Sequence, residues 1–278
     1  MKPIELSPKL IQLILVLVLV VPLLMPMGLP LPIMQGSRTL YDEINTLMPG
    51  SKVLVSMDWA VEQSIELLPQ MRIVLQHLFL RPGVKIAIVS FFEQGPMFAE
   101  QLLGEIDLSE KMYGDDYANL GFISGGEAGI AAFARDPLGV VPTDFQGRET
   151  SSMSALSDVA DIKAFDLLVI TDSGIPGVSE WVGQVQVPYG LRMACLGTLG
   201  TLTKAAPYVQ ANQVFALMGG VRGAAEYETI MNRPGLSTAG MDAQSIGHIF
   251  VILLLIIGNL SSILERRSQG SATKEALR

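Results

Sequence analysis

KVLVSMD at residues 52–58 and VKIAIVS at residues 84–90 are the two stretches that decide the fold. Each is a near-continuous apolar run rich in Val, which is typical of a strand buried on both faces of a parallel sheet. Residues 62–80 lie between them and carry apolar side chains at helical spacing, and Pro82-Gly83 ends that helix. Two strands joined by a helix predict a right-handed βαβ unit.

The same alternation continues along the chain. Further strands are predicted at residues 117–124, 165–171 and 191–197. Helices are predicted at residues 96–106, 127–134, 154–162 and 179–185. Strands that alternate with helices favour a parallel sheet, so we predict a three-layer α/β fold with a mostly parallel, Rossmann-like sheet of about five strands. Residues 204–232 carry no predicted strand and are interpreted as helical.

Apolar runs at both ends predict that the chain is anchored in a membrane. A helix that crosses the hydrocarbon layer needs about 20 mostly apolar residues. Residues 10–34 form one such run, with a proline-rich exit, and residues 245–264 form the second. The first run also fits a cleaved signal peptide, but residues 30–35 contain no small-x-small cleavage pattern. We therefore expect two transmembrane helices with an α/β domain at residues 35–244 between them.

Basic residues near the two apolar runs predict their orientation. Lys2 and Lys9 precede the first run, and the residues that follow the second include Arg266, Arg267, Lys274 and Arg278. Because basic flanks stay on the cytoplasmic side, we expect residues 1–9 and 265–278 to be cytoplasmic tails. The α/β domain is then extracytoplasmic, and the lipid bilayer is the first predicted partner.

The composition argues against several classes of function. The formal net charge of −8, without clustered Lys and Arg, argues against nucleic-acid binding. A single cysteine, Cys195, excludes an internal disulfide bond and a multi-cysteine metal site. The sequence contains no G-x-x-x-x-G-K-[ST], G-x-G-x-x-G or H-E-x-x-H motif. We therefore predict neither a metal site nor a cofactor.

The carboxyl ends of the predicted strands hold the candidates for chemistry. Ligands of open parallel sheets bind at these ends, where Asp58, Asp172 and Ser173 are candidate catalytic residues. Either aspartate could bind a cation or act as acid or base. The alternative is that each only caps the helix that follows it.

A glycine-rich turn provides a candidate ligand-binding site. Residues Ser124, Gly125 and Gly126 precede a predicted helix that begins at Glu127. Backbone N–H groups at such a helix start can bind an anion. The alternative is that Ser124 is the N-cap and the glycines serve only the turn.

Small and polar residues near the C-terminus predict a packing surface. Gly220 and Gly223 lie on nearly one side of the predicted helix, and Gly219 and Ala224 adjoin them. Asn259 lies in the second apolar run, where a polar side chain favours contact between helices. A phosphate-binding turn is the competing interpretation of the glycines, and we expect no strand directly before them.

Two functions remain open from the sequence. The double anchor, the small-residue helix and the missing catalytic motifs favour a non-catalytic component of a membrane protein assembly, formed with copies of itself or with other membrane proteins. The alternative is a membrane-tethered enzyme or ligand-binding module that uses the carboxyl ends of the strands. A pocket with converging carboxylates would favour the alternative, and closure of this edge by residues 136–148 would favour the first function.

Overall fold

The computed structural model describes the backbone of residues 7–276 and the side chains of residues 7–263. The chain forms two compact units. One is the α/β domain, Leu31–Arg233, and the other combines the segments that precede and follow it.

A six-stranded, all-parallel sheet forms the centre of the α/β domain. The strands are β1 (Lys52–Ser56), β2 (Lys85–Ser90), β3 (Tyr117–Phe122), β4 (Leu167–Asp172), β5 (Met193–Gly197) and β6 (Ala216–Gly219). Their spatial order is β3-β2-β1-β4-β5-β6. β1 therefore lies at the middle, between β2 and β4.

Helices cover both faces of the sheet. In chain order, the α-helices of the two units are α1 (Pro8–Leu24), α2 (Gln35–Thr46), α3 (Ser64–Leu80), α4 (Gly95–Glu105), α5 (Glu127–Arg135), α6 (Pro137–Val140), α7 (Val178–Trp181), α8 (Val187–Tyr189), α9 (Leu202–Gln210), α10 (Gly220–Ile230) and α11 (Leu236–Ala276), of which α1 and α11 belong to the second unit and not to the α/β domain. Side chains of α2, α3, α4 and α10 share one core with the sheet. Side chains of α5, α7 and α9 share the other core, on the opposite face.

The predicted parallel α/β fold is confirmed, with one strand more than expected. All five predicted strands are present within a few residues of the predicted bounds. The interpretation of residues 204–232 as helical throughout is wrong, because β6 lies between α9 and α10. The helix predicted at residues 154–162 is also wrong, since only short 3₁₀ turns occur at Ser154–Leu156 and Ile162–Ala164.

Both edges of the sheet are covered. At the β3 edge, the Phe145 N–H donates to the Asn119 carbonyl oxygen over 2.9 Å. At the β6 edge, α2 packs so closely that a Cβ added at Gly36 would clash with the Leu217 carbonyl oxygen. Residues 136–148 therefore cover an edge strand and do not close the carboxyl ends of the central strands.

The second unit contains the two apolar helices. The 28-residue part Leu236–Ile263 of α11 is long and apolar enough to cross a membrane, and its most apolar stretch is not buried. Helix α1 has 17 residues, a length of about 25 Å at 1.5 Å per residue, which is shorter than a hydrocarbon layer of about 30 Å. The two helices pack together: a Cβ added at Gly247 would lie 3.2 Å from a Leu19 methyl group.

One carboxylate holds the segment that follows α1. Asp242, on α11, accepts hydrogen bonds from the backbone N–H groups of Met27, Gly28 and Leu29 at 2.7, 2.8 and 2.9 Å. The Asp242 side chain is almost completely buried. A charged acceptor that satisfies three consecutive donors fixes the backbone of residues 27–29.

Candidate functional site

The strand order places β1 beside β4 at the middle of the sheet, where the connections switch faces. The chain leaves β1 towards the face covered by α3, and it leaves β4 towards the face covered by α7. In open parallel sheets, the crevice at the carboxyl ends of two such strands is the usual ligand site. Asp58, Asp172 and Ser173 all lie there, as the sequence predicted.

Hydrogen bonds tie the two loops of this crevice together. The Asp58 N–H donates to Thr171 Oγ1 over 2.7 Å. The Ser173 hydroxyl donates to the Asp58 carbonyl oxygen over 2.9 Å. Trp59 is fully buried beside them and stacks on Phe98 with ring centroids 5.1 Å apart. The loops therefore do not diverge to leave an open crevice.

The carboxylate of Asp58 is sealed inside the protein. It accepts hydrogen bonds from the Ser56 hydroxyl at 2.5 Å and from the Phe91 N–H at 2.6 Å. The indole N–H of Trp181 lies 3.5 Å from it. Complete burial raises the pKa of Asp58 to about 6, while these donors act in the opposite direction. Its contacts are those of a carboxylate that stabilises the β1 end.

The carboxylate of Asp172 accepts its hydrogen bonds from the loop that follows β4. The backbone N–H groups of Gly174 and Val178 donate to its carboxylate. A Cβ added at Gly177 would lie 2.5 Å from Asp172 Oδ1, so the loop fits closely around the side chain. Burial raises the pKa of Asp172 to about 6. Within the described residues, no group of three or more His, Cys, Asp or Glu side chains could hold a metal ion.

The glycine-rich turn is exposed, but Ser124 does not cap the helix. The N-cap of α5 is Gly126, with φ at +54°, and no side chain caps the helix start. The N-cap alternative for Ser124 is therefore wrong. Glu127 accepts a hydrogen bond from Gln184 Nε2 at 2.8 Å. The anion-binding prediction for residues 124–127 stays a prediction.

An open groove lies beside this turn, at the carboxyl ends of β2, β3 and β4. Its volume is about 350 Å³, and it is lined by Phe91, Phe92, Glu93, Gln94, Phe122, Gly125, Gly126, Ile175 and Pro176. Only one carboxylate, Glu93, lines it, so the predicted convergence of carboxylates does not occur in the groove. Sequence reasoning missed Phe122 and Ile175, because the exposure of these two apolar side chains at the strand ends is visible only in the folded chain.

The predicted packing glycines mark the turn from β6 into α10. Gly220 has φ at +61°, and Gly219 is the last residue of β6. The expectation that no strand precedes these glycines is therefore wrong. A Cβ added at Gly223 would lie 2.5 Å from Met218 Cγ, and Ala224 is fully buried. These close contacts are made within the domain, and packing of α10 against another chain stays a prediction.

Asn259 lies on an exposed part of α11. Its side-chain amide donates to the Leu255 carbonyl oxygen of its own helix over 2.9 Å. A contact of Asn259 with another helix remains a prediction.

Comparison of the chain with family models, curated proteins and solved structures finds no match.

Proposed function

We propose that this protein is a non-catalytic, membrane-anchored component of a membrane protein assembly. The observation that carries the proposal is the closed crevice between β1 and β4. A catalytic or ligand-binding domain of this architecture would present an accessible polar group there. In this chain the candidate carboxylates are buried, and they accept hydrogen bonds from neighbouring backbone N–H groups and from the Ser56 hydroxyl.

The long helix α11 supports the membrane part of the proposal. Large apolar side chains along its span are about half exposed, among them Ile252, Leu255 and Ile256. An apolar surface of this length is stable in lipid and unstable in water. We propose that α1 and α11 lie in the bilayer together, with both tails cytoplasmic and the α/β domain extracytoplasmic.

Extraction from native membranes tests the assembly. The full chain, extracted in a mild detergent, should migrate at a mass well above the 30.0 kDa of one chain plus its micelle. Native mass spectrometry then gives the number of copies and the masses of other subunits. A single chain without partners in several mild detergents, and without cross-links in intact membranes, would contradict the proposal.

The groove beside Gly125 and Gly126 favours a second candidate function, a membrane-tethered ligand-binding module. A volume of about 350 Å³ falls within the range of small-molecule sites, roughly 300–1,000 Å³. Saturable binding of a small molecule to the purified full chain, lost in Phe122→Ala, would support this candidate. The Met112→Ala variant is the control, because Met112 is similarly exposed outside the groove.

A further inference from the structure

Exposed apolar side chains cluster at the carboxyl ends of the central strands. We call this surface the rim patch and define it as Val61, Ile65, Met97, Phe122 and Ile175. These side chains are between 43% and 81% exposed. Val61 and Ile65 follow β1, Met97 follows β2, Phe122 ends β3, and Ile175 follows β4. Four successive strands therefore each contribute a large apolar side chain to the same end of the sheet.

A shared groove and hydrogen bonds to Gln94 bring together the segments that carry the rim patch. Phe122 and Ile175 line one groove, together with Gln94. Gln94 Oε1 accepts a hydrogen bond from the Val61 N–H at 2.9 Å, which brings the β1 connection against the groove wall. The Met97 N–H donates to the Gln94 carbonyl oxygen at 3.2 Å. Ile65 lies one helical turn after Val61.

The formal charges within the four segments that form the rim patch are all negative, and one exposed cation, Lys204 on α9, lies close enough to interact with Asp172 at the end of β4. Residues 57–66, 91–98, 123–130 and 173–181 form this end of β1 to β4, and they contain no Lys, Arg or His. Their exposed or half-buried acidic residues are Glu62, Glu66, Glu93, Glu127 and Glu180. Five glutamates outnumber this one lysine, and an apolar surface with a predominantly acidic surround attracts a partner that is apolar and positively charged.

The same charges disfavour other occupants. Anionic lipid headgroups and nucleic acid would both be repelled. A second copy of this acidic surface would be repelled as well. An added β-strand finds no free edge, because the 143–149 segment covers β3 and α2 covers β6. A helix laid into an apolar groove remains compatible with the surface.

We propose that the rim patch binds an amphipathic, positively charged helical segment of another protein subunit. This inference rests on the proposed function, since it names the partner class of the assembly. Apolar side chains of the segment occupy the groove lined by Phe122 and Ile175. Lys or Arg side chains of the segment face Glu62 and Glu93.

Site-specific photo-cross-linking in native membranes tests this directly. A photoreactive phenylalanine analogue replaces Ile175 or Met97 in the full chain, and mass spectrometry identifies the attached peptide. Matched controls carry the analogue in place of Val187 or Met112, which are similarly exposed but lie outside the rim patch. We expect a protein adduct at positions 175 and 97 that is at least about tenfold more abundant than at the controls, with an attached peptide that is apolar and basic.

Charge reversal provides the second arm. Glu62→Lys with Glu93→Lys, in the chain that carries the analogue at position 175, should lower the adduct yield about tenfold, because like charges would then face each other. The exposed pair Asp42→Lys and Glu110→Lys, outside the rim patch, should leave it unchanged. A lipid adduct, a second copy of this chain, an acidic peptide or equal yields at rim and control positions would each overturn the inference. An assembly that stays intact while the rim cross-links fail would refute this inference alone, whereas a chain without any partners would refute the proposed function.

Discussion

At the residue scale, Asp58 shows that a residue can lie at the usual ligand position of a sheet without being accessible to a ligand. It lies where doubly wound sheets bind ligands, yet its carboxylate is fully buried and accepts hydrogen bonds from Ser56 and Phe91. The sequence predicts an aspartate at a strand end, but it does not distinguish a ligand from a structural acceptor. That distinction depends on Phe91, Thr171 and Trp181, which are distant in sequence and meet only in the folded chain.

The raised pKa of Asp58 predicts a pH dependence of stability. Its folded-state pKa is about 6 against an ordinary 3.8, so the folded state binds the proton more tightly than the unfolded state. The resulting stabilisation is fully present below pH 4 and is lost as pH rises through 6, an effect of up to about 3 kcal/mol.

Urea unfolding at pH 4, 5 and 7 measures this effect in the full chain in detergent. Fluorescence of the only two tryptophans, Trp59 and Trp181, reports the α/β domain alone, because both are fully buried there. The free energy of unfolding of wild type, minus that of Asp58→Asn, should fall as pH rises from 4 to 7. The exposed substitution Glu110→Gln should show no such trend. A pH-independent difference for Asp58→Asn would contradict the prediction.

At the element scale, the turn from β6 into α10 shows why the pattern of a short stretch of sequence did not predict strand β6. β6 has only four residues and ends in glycine, so its strand signal is weaker than the small-residue helix signal that follows. The segment is a strand because it pairs with β5, and that pairing cannot be inferred from a few neighbouring residues of the sequence. Glycine is required at position 223 because a larger side chain would clash with Met218, five residues earlier in the chain. The requirement does not arise from the helix itself.

Two glycine substitutions with opposite expected effects test this account. Gly223→Leu should lower the free energy of unfolding by about 1–3 kcal/mol, since the new side chain must displace Met218. Gly104→Leu, in α4, has open space around its Cβ position and should raise it by up to about 1 kcal/mol through helix propensity. Thermal unfolding of the two full-length variants gives the comparison. Equal destabilisation would show that helix packing at residue 223 is not specifically tight.

The contact between α11 and residues 27–29 predicts local protection. Asp242→Ala leaves three backbone N–H groups without their charged acceptor, a loss of about 1.5–3 kcal/mol. Hydrogen exchange of the Met27, Gly28 and Leu29 amides should then accelerate by roughly ten- to a hundredfold. The nearby exposed substitution Gln244→Ala serves as the control. If both variants exchange alike, Asp242 does not hold this segment.

At the scale of the whole molecule, the sheet was predictable and the functional surface was not. Five of the six strands were predicted from the sequence, because strands that are buried on both faces of a parallel sheet are continuous apolar runs. The groove and the rim patch depend on how side chains from four connections meet, and each of those side chains is unremarkable in its own segment. The apolar termini predict membrane anchoring from length and composition, whereas their orientation depends on a few charges.

The predicted topology has a direct test in intact cells. Cysteines introduced by Ser7→Cys and Ser271→Cys should be shielded from an impermeant thiol reagent, and one introduced by Gln146→Cys should react, because basic flanks keep both tails cytoplasmic. The native Cys195 is fully buried and adds no background. Reaction of the two tails without reaction at position 146 would reverse the orientation.

The carboxylate of Asp242 also has a consequence for how the chain is made. Met27, Gly28 and Leu29 leave the ribosome early, while their common acceptor is synthesised more than 200 residues later. The segment that follows the first apolar helix therefore acquires these three hydrogen bonds only after residue 242 has been synthesised. A chain that stops before residue 242 leaves these three backbone N–H groups without their shared carboxylate acceptor, beside an apolar helix.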